Sequence, residues 1–249
     1  MKFTYESYSS MLIRLREKGY SFRDYKTWKE TERTVILRHD VDNSLEKAVL
    51  LSEVEKNICG GGATYFVLLS TDFYNLQSKK SREYINRIIK NGGSIGLHFD
   101  ETQYMIRDDL EMKAYIRKEI ELLSNIIDAS VDVVSMHRPS EKVLAANIEF
   151  PDLINSYSEV YFKQMKYLSD SRRFWRENVD EIIESAAYPR LHILTHPFWY
   201  MEGREKNLKQ TLEDAILCAS LDYYDRLNDN FRDLSNEIER KKIERIIYR

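Results

Sequence analysis

The chain has 249 residues, of which 43% are hydrophobic and 32% charged, and its formal net charge is −3. That length suits one large α/β domain or two small ones, and interspersed acids and bases at near-neutral charge argue against bulk electrostatic attraction to nucleic acid or anionic lipid. The two cysteines, Cys59 and Cys218, make neither a zinc knuckle nor a disulfide framework; no apolar run reaches membrane-spanning length; and the opening twenty residues lack a signal-peptide pattern, so the expected compartment is the cytoplasm.

In chain order, Met11, Leu12 and Leu15 have helical spacing within 8–18. A β-branched run at 34–37 leads to His39 and Asp40. Ser44 can cap a helix whose apolar positions are Leu45, Ala48, Val49 and Val54, stopped by Gly60-Gly61-Gly62. Residues 63–69 form a continuous apolar run, the pattern of a strand covered on both faces. A helix over 81–90 carries Tyr84, Ile85, Ile88 and Ile89 on one side, and 94–97 leads to His98. A long helix over 107–127 shows a stripe of Ile116, Ile120, Leu123 and Ile127. Residues 131–136 alternate and end at His137. The stretch 157–168 reads as two short strands, 179–186 as a helix, and 191–195 as the last strand, ending at His196. Residues from about 205 to 249 read as a charged helical addition packing through Leu208, Leu212, Ile216 and Leu217. Strands alternating with helices imply right-handed βαβ units and a parallel sheet, and six or seven such units would close into a barrel rather than an open sheet. The expected organisation is one barrel domain over 1–249, with the helical segment at 205–249 appended.

Four of the five histidines fall at strand exits: His39, His98, His137 and His196. The fifth, His192, lies inside the last strand. In parallel folds ligands bind at the carboxyl ends of strands, and imidazoles beside carboxylates there suit a divalent metal with one position open. Asp40 and Asp42 are two apart, so on an extended strand they point the same way. Two carboxylates at one mouth repel unless a cation relieves them; one then ligates the ion and the other acts as a base. Capping of the helix near Ser44 is the bland alternative, weightier for Asp42 than for Asp40. Gly96 leaves room for a close approach beside His98, whose bland reading is a satisfied core histidine. Asp100 and Glu101 are placed to orient that ring. Arg138 is expected to pair with Asp40 and hold it ionised. His196, followed by Pro197 and the aromatic run Phe198-Trp199-Tyr200, suits a general acid with a hydrophobic wall. The 17 tyrosines suit a sugar-binding surface, although half-buried core positions account for most of them.

Arg38-His39-Asp40-Val41-Asp42, Ala63-Thr64-Tyr65-Phe66, Gly96-Leu97-His98, His137-Arg138-Pro139 and Leu194-Thr195-His196-Pro197, in that order over about 35–200, resemble the polysaccharide deacetylase (NodB-homology) family, carbohydrate esterase family four. The resemblance is greatest to divergent members of surface-polysaccharide biosynthesis that lack export signals. It implies a distorted (β/α) barrel of about seven parallel strands and metal-dependent removal of an acetyl group from an N-acetylated sugar. It implies that Asp40 is the base, Asp42 and His98 metal ligands, Arg138 the arginine that steadies the base, and His196 the general acid. Asp170 and Trp175, in Ser169-Asp170-Ser171-Arg172-Arg173-Phe174-Trp175, resemble a motif that lines the groove and braces that arginine. Trp199 and Tyr200 are expected at the sugar platform, with His39 beside the substrate. The family's second metal histidine falls here at Thr102. The third ligand is then expected from His137, Glu101, His39 or a water, with His137 favoured. A mixed nitrogen and oxygen site suits zinc.

The leading expectation is therefore a zinc-dependent deacetylase of an acetamido sugar in lipopolysaccharide O-antigen or capsule biosynthesis, the sugar being nucleotide- or lipid-linked. A catalytically dead carbohydrate-binding relative and a hydrolase of a non-sugar amide are the alternatives. Metal content and the identity of the released product separate the three.

Overall fold

The strand at Thr34–Val41 is buried along its whole length, and its neighbours are arranged around it. The computed structural model describes residues 1–231 and 234–247, with side chains up to 243. In chain order the elements are α1 (Tyr5–Glu17), β1 (Ser21–Phe22), β2 (Thr34–Val41), α2 (Leu45–Cys59), β3 (Thr64–Val67), α3 (Lys79–Lys90), β4 (Ser94–Phe99), α4 (Asp109–Ile127), β5 (Val133–Met136), α5 (Glu141–Ala145), β6 (Ile154–Asn155), α6 (Glu159–Lys163), β7 (Lys166–Ser169), α7 (Val179–Ser185) and β8 (Arg190–Thr195). Every strand pairing is parallel, in the order β6-β5-β4-β3-β2-β8-β7, with the short β1 beside the start of β2. The seven-strand path has β6 and β7 as its edges, so the sheet is a distorted, incompletely closed α/β barrel, as expected from sequence.

Period-two alternation sorts β2 into two rows. Val35, Leu37 and Val41 join the main core with Tyr8, Met11, Leu12 and Leu15 of α1 and Ala48 and Leu51 of α2. Ile36 joins a second cluster with Tyr25, Trp28, Phe66, Val133, Tyr161 and Met165. That second cluster is the inside of the curl: Arg38, in the same row as Ile36, hydrogen-bonds Ser135 of β5. Two strands lie between β2 and β5. At ~4.8 Å per strand a flat sheet would hold them some ~14 Å apart, so the contact requires curvature. Gly96 serves this interior. A Cβ there would stand 2.5 Å from the Phe66 ring and 3.1 Å from the Val133 carbonyl oxygen, so the close approach that glycine permits is that of a core ring.

Local signals set most boundaries. Ser44 caps α2 by accepting from Lys47 N–H, and Gly60 closes the helix in the left-handed region (φ 80°); a cap of this kind is worth ~1 kcal/mol. Asp42 is thereby released from the capping role. The stretch 157–168 differs from expectation, since it holds helix α6 and then only one strand, β7. Lys163 pairs with Glu159 at 2.6 Å, one helical turn away, and Tyr161 drops into the inner cluster. In so short an aromatic-rich run, helical and strand periods are hard to tell apart.

The chain divides into compact units at Met1–Gly203 and Arg204–Arg249. The second holds α8 (Leu208–Asn230), α9 (Leu234–Glu237) and α10 (Arg240–Ile247). Asn207 and Gln210 form a reciprocal capping box at the start of α8. Arg240 makes two hydrogen bonds to Asp225, and Tyr224 donates to the Ile238 carbonyl at 2.6 Å. Leu208, Leu212 and Ile216, expected to pack, are 48%, 40% and 59% exposed. The expected helical span also includes 232–233 and 248–249, which lie outside the described residues. Among the described residues no helix is long and apolar enough to cross a membrane.

Candidate metal centre and acid–base pair

The inward row of β2 rises from the apolar plug at Ile36 through Arg38 and Asp40 to Asp42, just past the strand end. Period two carries β4 and β5 to the same mouth, with His98 at the end of β4 and Ser135 followed by His137 at the end of β5. His137 Nδ1 lies 3.1 Å from His98 Nε2. Asp42 Oδ1 lies 3.3 Å from His98 Nε2 and 3.4 Å from His137 Nδ1. A tetrahedral ion with bonds of ~2.0 Å separates its donors by ~3.3 Å, so these three atoms are spaced as the ligands of one ion. Asp42 Oδ1 is buried and has no hydrogen-bond partner among the described residues. The donor set, two imidazoles and a carboxylate, fits a catalytic divalent metal.

The other proposed third ligands are committed elsewhere. Glu101 accepts from the backbone N–H of Ser140 and from its hydroxyl at 3.2 Å, tying two loops together. His39 faces the opposite side of β2. Thr102 donates its N–H and hydroxyl to Asp100 Oδ1 at 3.0 and 2.7 Å. Asp100 and Glu101 therefore organise loops rather than the His98 ring.

Asp40 is buried and its carboxylate is held by Arg38, not Arg138. Arg38 Nε donates to Oδ1 at 2.9 Å and Nη2 to Oδ2 at 2.8 Å. The guanidinium is itself buried, stacks over Tyr157 and Phe66 at 4.8 and 5.4 Å from the ring centres, and donates to Ser135. Burial raises the Asp40 pKa, but the Arg38 and His98 charges outweigh it and leave the carboxyl below its usual value. Asp42 moves the same way: burial raises its pKa, while the adjacent His137 and His98 imidazoles draw it well below the usual range. Arg138 is exposed and takes a left-handed backbone, φ 48°. Adjacent strand residues face opposite ways; with His137 facing the mouth, Arg138 is turned out to solvent. The signal for Arg38 was in the sequence: it lies two residues before Asp40, the spacing already used to pair Asp40 with Asp42.

On the neighbouring strand β8, His196 Nδ1 hydrogen-bonds Asp170 Oδ1 at 2.6 Å, and its backbone N–H meets both Asp170 oxygens at 3.0 Å. Asp170 is fully buried at the end of β7 and also accepts from Tyr200 at 3.3 Å. It braces the histidine rather than an arginine. Burial disfavours the imidazolium, yet the Asp170 carboxylate more than offsets it, and the His196 pKa rises to about 9, with Asp40 and Asp42 adding to the rise. Tyr200 is fully buried, with edge contacts to Phe3 and Tyr8; it is a core residue, not a sugar platform. Trp175 and Trp199 are half-buried against the main core, and each has a buried indole N–H without a partner among the described residues. His192 is buried, hydrogen-bonds Tyr25 at 2.8 Å, and is pushed by burial down to about 3, so it stays neutral.

His39, expected beside the substrate, is fully buried behind β2. Its Nε2 donates to Glu55 Oε1 at 2.6 Å, and Nδ1 meets Thr195 Oγ1 at 2.6 Å. Glu55 also accepts from Tyr8 at 2.6 Å and Tyr65 at 2.7 Å. Sequence reading missed Glu55, and the signal was a carboxylate on the apolar stripe of α2, one turn after Leu51.

No family model matches the chain, and no curated protein matches it. Solved structures similar to it include a CE4 family pseudoenzyme of Bacillus anthracis, 14% identical over 67% of this chain with a TM-score of 0.45. The chain spans 56% of the length of that protein. They also include the Xyl-CE4 domain of a xylanase from the hindgut metagenome of Trinervitermes trinervoides, 16% identical over 67% of this chain and 75% of that one, TM-score 0.43. A third is a peptidoglycan deacetylase of Bacillus subtilis, 18% identical over 67% of this chain and 76% of that one, TM-score 0.42. The first two of these are named as proteins of carbohydrate esterase family four, the family that the sequence motifs of this chain resemble.

Proposed function

We propose that the chain is a metal-dependent hydrolase that removes the acetyl group from an acetamido sugar. The observation that carries this reading is the convergence of Asp42, His98 and His137 on one point, with Asp40 beside them and the His196–Asp170 pair on the next strand. Asp42, His98 and His137 would hold a divalent ion, read as zinc by donor type; such an ion would supply Lewis-acid polarisation of the acetyl carbonyl and acidify water. Asp40, kept ionised by Arg38, takes the proton of the attacking water. His196, kept protonated by Asp170, gives a proton to the nitrogen as the C–N bond breaks, so that acetate and a free amine leave. The half-buried indoles of Trp175 and Trp199 offer their exposed ring surface to a sugar.

The substrate is read as a sugar of surface-polysaccharide biosynthesis, lipopolysaccharide O-antigen or capsule, on a nucleotide or lipid carrier in the cytoplasm. The resemblance of the first motif to the divergent branch without export signals supports that assignment. The domain reading stands beside it: one deacetylase barrel with a helical C-terminal addition. A sugar-binding relative without turnover is the contrasting reading, and the place of His137 speaks against it, since it makes good the ligand that Thr102 lacks. The test is acetate release from N-acetylated sugars by zinc-loaded protein, together with His196→Ala. That variant is expected to lose ~10²–10⁴-fold in turnover with metal content unchanged. A zinc-loaded wild type that frees no acetate from any acetamido sugar would sink the proposal.

A further inference from the structure

The His39–Glu55 cluster lies outside the chemistry just described, yet it is attached to it at both ends. His39 immediately precedes Asp40, and Thr195 immediately precedes His196. In the β2–β8 ladder His39 and Thr195 are register partners, so their side chains meet behind the sheet while Asp40 and His196 emerge on the mouth side. The linkage is rigid. A carboxylate can only accept, so Tyr8, Tyr65 and His39 Nε2 all donate to Glu55. In the neutral ring Nδ1 is then left to accept from the Thr195 hydroxyl. Tyr65 also lies against the imidazole, with ring centres 4.5 Å apart. Four elements, α1, α2, β2 and β3, thus hold one ring, and that ring holds the end of β8.

We infer that the buried Glu55–His39–Thr195 chain is a positioning device that, together with Asp170, sets the place of His196. The inference rests on the deacetylase reading, and it assigns no contact with substrate to any of the three residues. Ordinary backbone pairing secures β8 only as far as the His39–Thr195 step. His196 is the first residue beyond the ladder, and a general acid must sit within hydrogen-bond reach of the leaving nitrogen. Asp170 holds His196 from the β7 side, and the Thr195 hydroxyl fixes the residue before it from the β2 side.

Leaving-group chemistry separates positioning of the acid from general loosening. An amine must be protonated as it departs, whereas p-nitrophenolate leaves as a stable anion. Thr195→Val keeps the shape and removes the hydroxyl; Thr195→Ser keeps the hydroxyl. With zinc-loaded protein, Thr195→Val is expected to lower kcat for an N-acetylglucosamine oligomer by ~10- to ~100-fold, the scale of a small misplacement. KM, zinc content and p-nitrophenyl acetate turnover should hold within about twofold, a margin far below that misplacement scale. Thr195→Ser should restore the amide rate. If Thr195→Val fails to accumulate as folded protein, Thr195→Ala, which cannot clash, carries the same comparison. Equal loss of amide and ester turnover, an unchanged amide rate, or no rescue by serine overturns the inference alone. A wild type inactive on both probes overturns the deacetylase reading, and the inference falls with it.

Discussion

Two polar clusters lie back to back on β2, and they differ in how completely they are satisfied. Behind the strand, Glu55 and His39 use their hydrogen-bonding atoms on Tyr8, Tyr65, Thr195 and each other. In front, Asp42 Oδ1, His98 Nδ1 and Arg38 Nη1 are buried without partners among the described residues. Burying a polar atom unpaired costs ~1–3 kcal/mol, more if it is charged. Asp42 Oδ1, which shares one point with His98 Nε2 and His137 Nδ1, is the atom placed to recover that cost from a bound cation. A closed network belongs to the scaffold, and an open one marks the site.

The largest effects should distinguish the two clusters directly. Asp42→Ala is expected to abolish zinc binding and turnover while the apo protein melts within a few degrees of wild type. Wild type should gain thermal stability on zinc addition, by ~2.7 kcal/mol at a free concentration one hundred times Kd, and the variant should gain none. Glu55→Gln should act on stability and leave the zinc in place. An amide sets a donor against Tyr8, Tyr65 or His39, so stability falls by ~1–3 kcal/mol with zinc stoichiometry intact. Elemental analysis and melting curves on both variants check the contrast, and a Glu55→Gln protein that loses its zinc would merge the two clusters into one.

Arginine exchange gives the next largest contrast. Arg38→Met leaves the buried Asp40 without its counter-charge, which costs ~3–5 kcal/mol. It also removes the main influence lowering the Asp40 pKa, so the acidic limb of the pH–rate profile moves up. Arg138→Met, at an exposed position, should leave both stability and the acidic limb in place. An acidic limb that follows Arg138 instead would return the clamp to the residue that the sequence motif indicates.

A smaller, pH-specific change is expected at the acid. The folded His196 pKa, about 9, lies above the ordinary ~6.5. The proton on His196 is therefore present at neutral pH and lost as pH rises through the folded value. Its contribution to stability has the same sign, being complete below ~6.5 and lost as pH climbs toward the folded pKa. Asp170→Asn removes the carboxylate responsible, and the alkaline limb should move down toward ~6.5. An alkaline limb that stays in place would assign it to another group.

How far the molecule was legible from its sequence depended on the range of the interaction. Ser44 and Gly60 announce the ends of α2 because capping and left-handed closure are local. Asp40 and Asp42 announce a shared mouth because strand periodicity is local too. The pairing of Asp40 was also in reach, since Arg38 obeys the same period; the motif resemblance drew the expectation to Arg138 instead. Glu55 was harder to see, because only contact with three other elements turns a carboxylate on a helix stripe into the centre of a closed network.

The sequence by itself determined the alternation of strands and helices, the parallel sheet, and the gathering of His98, His137 and His196 at one end of it. Each of these follows from side-chain period and chain connectivity. Tertiary structure alone decided which atoms meet. His137 and not Glu101 or His39 completes the triad, because curvature brings β5 over the mouth while β2 turns His39 away. Asp170 and not a solvent-facing partner sets His196, because β7 and β8 end side by side. Tyr200 went to the core and not to the sugar, because the chain packs it against Phe3 and Tyr8. A residue type carries its donors and acceptors with it, but the partner that satisfies them is a matter of distance, and distance is fixed only when the sheet has curled.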